Sequence, residues 1–246
     1  LALYRRSPVA LVSVSGAGMA SGAFWSLGAV AAVGGAGMSP SNAAVFMGIT
    51  TAAGAIAQWP IGRFSDRIDR RIVLVCILIA ATIIGLLFAL LPLPKEGWYV
   101  LAALFGAAIA PSYSVAAAHA YDHAPKEATV ETAAGLFIAS ASGSIVGPLI
   151  ASAMMSKFGA PSLFLFTAIV QGLLAIYVVF RIQVSPAPAK ALKTEFDLAT
   201  TTPAGGPLPP ENPAPPQSPP DAAAAGGAEA DDTPPPEPHG SVTKEP

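Results

Sequence analysis

The 246-residue chain is 53% hydrophobic and only 11% charged, against roughly 25% charged in an ordinary soluble domain. So few polar groups cannot clothe a water-soluble globule of this size, and a formal net charge of −2 offers nucleic acid no basic surface. The single cysteine, Cys76, lies in an apolar run, so a disulfide framework and a thiolate metal cluster are both excluded; it reads as a small core or lipid-facing residue.

The charges fall in short clusters. Asp, Glu, Lys, Arg and His are absent between Arg6 and Arg63, Arg71 and Lys95, Gly97 and Ala118, Glu131 and Lys157, and Lys157 and Arg181. Each gap can hold the roughly 20 apolar residues that cross a bilayer, and the first can hold two such segments. Six spans are predicted: 9–33, 42–61, 72–91, 98–118, 132–155 and 162–180. Gly34 to Pro40, Pro92-Leu93-Pro94 and Phe158 to Pro161 act as breakers between them, and Ser41 or Asn42 is the expected cap of the second. Helices satisfy their own backbone in lipid, and no ten-residue alternation suggests a barrel. The expected fold is therefore all-α: a six-helix transmembrane domain over 1–183, followed by a disordered tail.

The chain opens Leu-Ala-Leu-Tyr-Arg-Arg without methionine, as a fragment or processed product would. The apolar run after Arg6 is too long for a signal peptide. Ten Lys and Arg (Arg5, Arg6, Arg63, Arg67, Arg70, Arg71, Lys126, Arg181, Lys190, Lys193) fall on one side of the predicted spans, and Lys95 and Lys157 on the other. The positive-inside rule then places both ends in the cytoplasm, with Trp98 and Tyr99 in the outer aromatic belt. Sixteen of the 25 prolines lie in the last 61 residues, giving 184–246 a Pro/Ala-rich composition that cannot build a core. Pro207 to Pro210 and Pro234 to Pro236 could dock on a polyproline reader, but an unstructured extension is the favoured reading.

Gly18 and Gly22, like Gly143 and Gly147, are four residues apart and allow close helix approach. Pro148 beside Gly147 removes a backbone donor, so Gly143, Gly147 and Pro148 form a candidate helix-kink motif. Gly62-Arg63-Phe64-Ser65-Asp66-Arg67-Ile68-Asp69-Arg70-Arg71 carries four arginines and two aspartates in ten residues. A topogenic cluster accounts for the charges alone. The order adds a turn-forming glycine at the helix exit and an Asp66 able to face these arginines or a helix N-terminus.

This decapeptide resembles the major facilitator superfamily signature Gly-x-Leu-x-Asp-Arg-x-Gly-Arg-Arg. Gly62, Asp66, Arg67, Arg70 and Arg71 match it, while Phe64 and Asp69 stand where the signature has leucine and glycine. Gly143, Gly147 and Pro148 are similar to the superfamily's antiporter-type helix pattern, with Ala151 in place of a glycine. The stretches Gly22 to Gly28, Gln58 to Arg67 and His119 to Ala124 resemble the YcaD-like permeases, a bacterial group, over residues 1 to about 181. The resemblance implies the C-terminal half of a transporter whose N-terminal six-helix half is a missing partner. In that fold the first, second, fourth and fifth helices line a cavity while the third and sixth face lipid, which makes Phe24, Trp25, Ser26, Gln58, Ser112, Tyr113, Ser114, Phe137 and Ser140 the substrate-cavity candidates. Interhelical hydrogen bonding is the alternative role for each polar member.

The signature loop, Gly62, Arg63, Asp66, Arg67, Arg70 and Arg71, is expected to form a gate with Asp122 and Glu131 as partners. His119, Asp122, His123, Glu127 and Glu131 cluster near the end of the fourth span, but without metal-binding spacing. No metal, cofactor or nucleic acid is expected, and no nucleophile, base and orienter arrangement suggests an enzyme. The expected function is secondary active transport of an unidentified small solute, as an exporter or antiporter, in a bacterial inner membrane. A receptor or regulator acting through a tail partner, and a complete six-helix protein that dimerises, are the competing readings.

Overall fold

The computed structural model describes residues 8–122, 124 and 128–184. Arg5, Arg6, His123, Lys126, Glu127 and the proline-rich tail beyond Val184 lie outside the described residues. Six helices follow one another: α1 Pro8–Ala36, α2 Pro40–Arg67, α3 Arg70–Leu90, α4 Lys95–Tyr121, α5 Thr129–Phe158 and α6 Ser162–Val184. All six are long and apolar enough to cross a membrane, and no strand occurs among the described residues.

Every predicted span is recovered, but most of the helices overrun it. The second was expected to stop at Ile61; α2 continues to Arg67, carrying most of the signature on helix rather than loop. Gly62 is therefore buried within the helix and makes no exit turn. The physical reason is that nothing after Pro60 breaks the ladder. At 28 residues α2 is about 42 Å long at 1.5 Å per residue, longer than the ~30 Å hydrocarbon layer requires. The chain reverses over Ile68 and Asp69 only. Asp69, where the signature has glycine, sits at φ −62°, a conformation open to any residue. Its carboxylate accepts from the Arg71 amide and caps α3.

The cap of α2 also differs from expectation. Ser39, not Ser41 or Asn42, is the N-cap; its hydroxyl accepts from the Asn42 amide at 3.3 Å, with Pro40 in the first turn. Proline suits that position because its missing donor would have no partner there. Gly37 just before it has φ +62°, the left-handed conformation that turns the chain out of α1.

The helices pair α1 with α5, α2 with α4 and α3 with α6, while α1 and α4 also touch and fill the centre. Lipid tails are as apolar as the side chains, so these pairs are held by close fit rather than by exclusion of water. A Cβ on Gly143 would meet the Ser15 carbonyl, one on Gly147 the Met19 carbonyl, and one on Gly18 the Ser140 carbonyl. The two glycine pairs thus face each other's helix, and Ser144 Oγ donates to the Gly18 carbonyl across the seam at 3.1 Å. Helix α5 runs unbroken through Pro148.

At one end of the bundle Phe24, Phe46, Phe88, Trp98, Phe105 and Phe164 pack together, with Phe88 and Phe164 stacked at 4.1 Å. This corrects the expected belt position of Trp98, which is 3% exposed. Its indole lies against Gly35 of α1, where the absence of a side chain leaves room for it; Tyr99 is partly buried against the same core.

Candidate functional site

The turn between α2 and α3 brings the signature charges against the end of α4. Arg70 is 1% exposed. Its Nη2 lies 3.1 Å from Asp66 Oδ1, across the turn on α2, and its Nε 3.0 Å from Asp122 Oδ2, just past α4. One guanidinium therefore ties together the ends of α2, α3 and α4. A buried ion pair is costly to desolvate and more costly to break, because removing one partner strands the other.

Beside it, Arg71 Nη2 lies 3.0 Å from Asp69 Oδ2. Burial pushes the Asp69 carboxyl up, but the hydrogen bonds and charge of Arg71, with the charge of His119, outweigh it and hold it below its ordinary value. Arg63 and Arg67 are exposed. Arg63 sits over the Trp59 ring at 5.9 Å, and Arg67 forms no ion pair with any described residue. Glu131 is exposed in the first turn of α5. Among the described residues no group of three His, Cys, Asp or Glu side chains is placed to hold a metal.

Further along the same helices an open cleft of about 280 Å³ lies between α1, α2 and α4. Trp25, Gln58 and Tyr113 line it, and so do Ser21, Thr50 and Thr51. Gln58 Nε2 reaches Ser114 Oγ at 3.4 Å and the Ala110 carbonyl at 3.5 Å, which fixes the amide and leaves its carbonyl oxygen to the cleft. Ser21, Thr50 and Thr51 donate to carbonyls one turn back on their own helices, so their oxygens remain acceptors. Among the described residues no charged side chain lines the cleft.

The other cavity candidates lie apart. Phe24 is fully buried in the aromatic cluster and backs Trp25 edge-on at 5.2 Å. Ser112 is buried and donates to the Ala108 carbonyl, Ser114 is buried behind Gln58, and Ser140 is buried on the α1 seam. Ser26 and Phe137 are exposed outside the cleft. Sequence reasoning overlooked Ser21, Thr50 and Thr51. Their signal was helical spacing: Ser21 precedes Trp25 by four residues, and Thr51 precedes Gln58 by seven. Gln171 on α6, fully buried and with no partner for either amide atom among the described residues, was also overlooked.

Six apolar helices, with clustered arginines where α2 meets α3 and a largely apolar cleft bearing a few hydroxyl and amide groups, define an integral, multi-pass membrane protein. The family model for the Major Facilitator Superfamily matches residues 9–225, and the chain belongs to that superfamily of membrane transporters. It is 31% identical over 150 residues to an uncharacterized MFS-type transporter of Yersinia enterocolitica, covering 60% of this chain and 37% of the relative. Against the uncharacterized MFS-type transporters YcaD of Escherichia fergusonii and Salmonella typhi it is 31% identical over 132 residues and 26% over 152. Those matches cover 54% and 62% of this chain, and 34% and 39% of the relatives. The chain spans little more than a third of the curated relatives it matches.

Proposed function

We propose that the chain is one six-helix half of a secondary transporter, moving a small solute by alternating access between two bundles. The observation that carries this reading is the Arg70 bridge at the ends of α2, α3 and α4, below an open cleft on α1, α2 and α4. Gln58 precedes Asp66 by eight residues, about 12 Å along the helix, so a movement that opens the bridge end also opens a path to the cleft. Helices α2 and α5 are the least buried of the six and offer the second bundle a face. This half contributes aromatic faces and hydrogen-bonding groups to the solute rather than charge. Coupling residues, if the transporter uses them, belong to the other bundle.

Both ends of this half face the cytoplasm from a bacterial inner membrane, by the distribution of Lys and Arg, and residues 190–246 are an extension not needed for flux.

The test uses the whole gene product in sealed vesicles with Thr51→Cys in a Cys76→Ser background, because Thr51 is exposed in the cleft. Alternating access predicts labelling by a membrane-impermeant maleimide from either face of the membrane. Labelling from one face only, under every solute and ion condition, would favour a receptor built on a transporter scaffold.

A further inference from the structure

Helices α2 and α3 both pack on α4 but scarcely touch each other, which leaves a groove whose floor is α4. It holds about 590 Å³, room for much of one acyl chain, and its walls are almost wholly apolar: Pro60 and Phe64 of α2, Ile72 and Cys76 of α3, Leu104 and Ala107 of α4. Phe64 is 58% exposed and Ile72 48%. The groove lies along membrane-spanning helices, starting at the α2–α3 turn. There the charge changes abruptly. Arg67 lies three residues after Phe64 and seven after Pro60, which sets it beside the groove mouth at the end of α2, whereas Arg63 sits over the Trp59 ring outside the groove. Both are exposed, and Arg67 has no carboxylate partner among the described residues. The neighbouring Arg70 and Arg71 are occupied by Asp66, Asp122 and Asp69.

We propose that this groove is a binding site for one anionic phospholipid, with an acyl chain between α2 and α3 and the phosphate held by Arg67. An apolar slot inside the bilayer selects a hydrocarbon chain. An exposed guanidinium at the headgroup level selects a negative headgroup, and guanidinium pairs well with phosphate oxygens. The groove between α3 and α6, also apolar and about 490 Å³, does not reach Arg67 and serves as the internal comparison. The site stands whether or not the chain transports a solute.

The test is native mass spectrometry of the whole protein in mild detergent, titrated separately with phosphatidylglycerol and phosphatidylcholine of the same chains. One basic residue near an anionic surface corresponds to roughly a five-fold change in binding. The parent is therefore expected to retain one phosphatidylglycerol at least about five-fold more tightly than phosphatidylcholine. Arg67→Gln should remove that preference while leaving phosphatidylcholine adducts unchanged. Cys76→Phe fills the groove from its exposed wall, so folding is not at stake, and should lower binding of both lipids; Ile79→Phe in the comparison groove should not lower either. Equal retention of the two lipids by the parent would overturn the proposal. So would a preference that survives Arg67→Gln, or one untouched by Cys76→Phe, which would mean either annular lipid only or a groove filled by another protein segment.

Discussion

Arg70 Nε lies 3.0 Å from Asp122 Oδ2, with each side chain 1% exposed, so the start of α3 and the end of α4 are joined by a charge pair removed from solvent. Asp122→Asn leaves the guanidinium buried and removes its most buried counter-charge, with Asp66, 28% exposed, still beside it. Breaking one member of such a pair costs about 3–5 kcal/mol, and the expected outcome is a loss of thermal stability in detergent by an amount in that range. Arg70→Met combined with Asp122→Leu should cost much less than the two single changes added together. Additive losses would show that the two side chains act independently.

The helix seams predict a sharp contrast among glycines. A Cβ on Gly106 would run into the Thr50 carbonyl, and backbone cannot yield as a flexible side chain can. Gly106→Val should prevent assembly of α2 on α4, read as loss of the monodisperse detergent-extracted peak. Gly48 on the same helix as Thr50 has open space around its Cβ position. Gly48→Ala should be neutral or stabilising by up to about 1 kcal/mol, the helix-propensity difference.

Six spans were legible because lipid imposes one length and one composition on any helix that crosses it, and Arg63, Lys95 and Lys157 mark where it stops. The helix ends were not legible. Whether Gly62 turns the chain or α2 continues to Arg67 depends on how far the helix projects past the bilayer, and no local residue encodes that. Trp25, Gln58 and Tyr113 were named because the resemblance says which helices line a cavity, and the three side chains lie on the cleft. Thr50 and Thr51 were not, because a hydroxyl bonded to its own helix looks in sequence like any other small residue. Phe24 and Trp25 are adjacent, and only packing sends one ring to the core and the other to the cleft.

Gln171 gives a prediction of opposite sign to most core changes. Its amide is fully buried, and neither Nε2 nor Oε1 has a partner among the described residues. Leaving such a group unsatisfied costs about 1–3 kcal/mol. Gln171→Leu should therefore raise the melting temperature in detergent. A lower melting temperature would mean that the amide is satisfied by a bound water or solute.

Asp69 makes the acid limb of stability specific. Burial raises its carboxyl, and the hydrogen bonds and charge of Arg71 with the charge of His119 more than reverse this, so its folded value lies below the ordinary 3.8. A depressed carboxylate stabilises the fold fully above its unfolded value, and that contribution fades as pH falls from there through the lower folded value. Asp69→Asn should lower stability at neutral pH and bring the two proteins together as the pH drops below about 4. Parallel curves with no convergence would remove Asp69 from the acid response.

The central claim is that the charge bridge governs access to the cleft. In the whole gene product carrying Thr51→Cys and Cys76→Ser, the decisive measurement is the ratio of maleimide labelling from the cytoplasmic and the external face, with and without Asp66→Asn. Asp66 is 28% exposed and shares Arg70 with Asp122, so its loss is not expected to unfold the bundle. Loss of a charge-assisted contact made in only one state shifts a two-state equilibrium by roughly ten-fold. The account predicts normal insertion, lost turnover and a ratio moved by about that factor toward the cytoplasmic face. An unchanged ratio with unchanged flux would contradict it and leave the arginines and aspartates of the signature as determinants of topology alone.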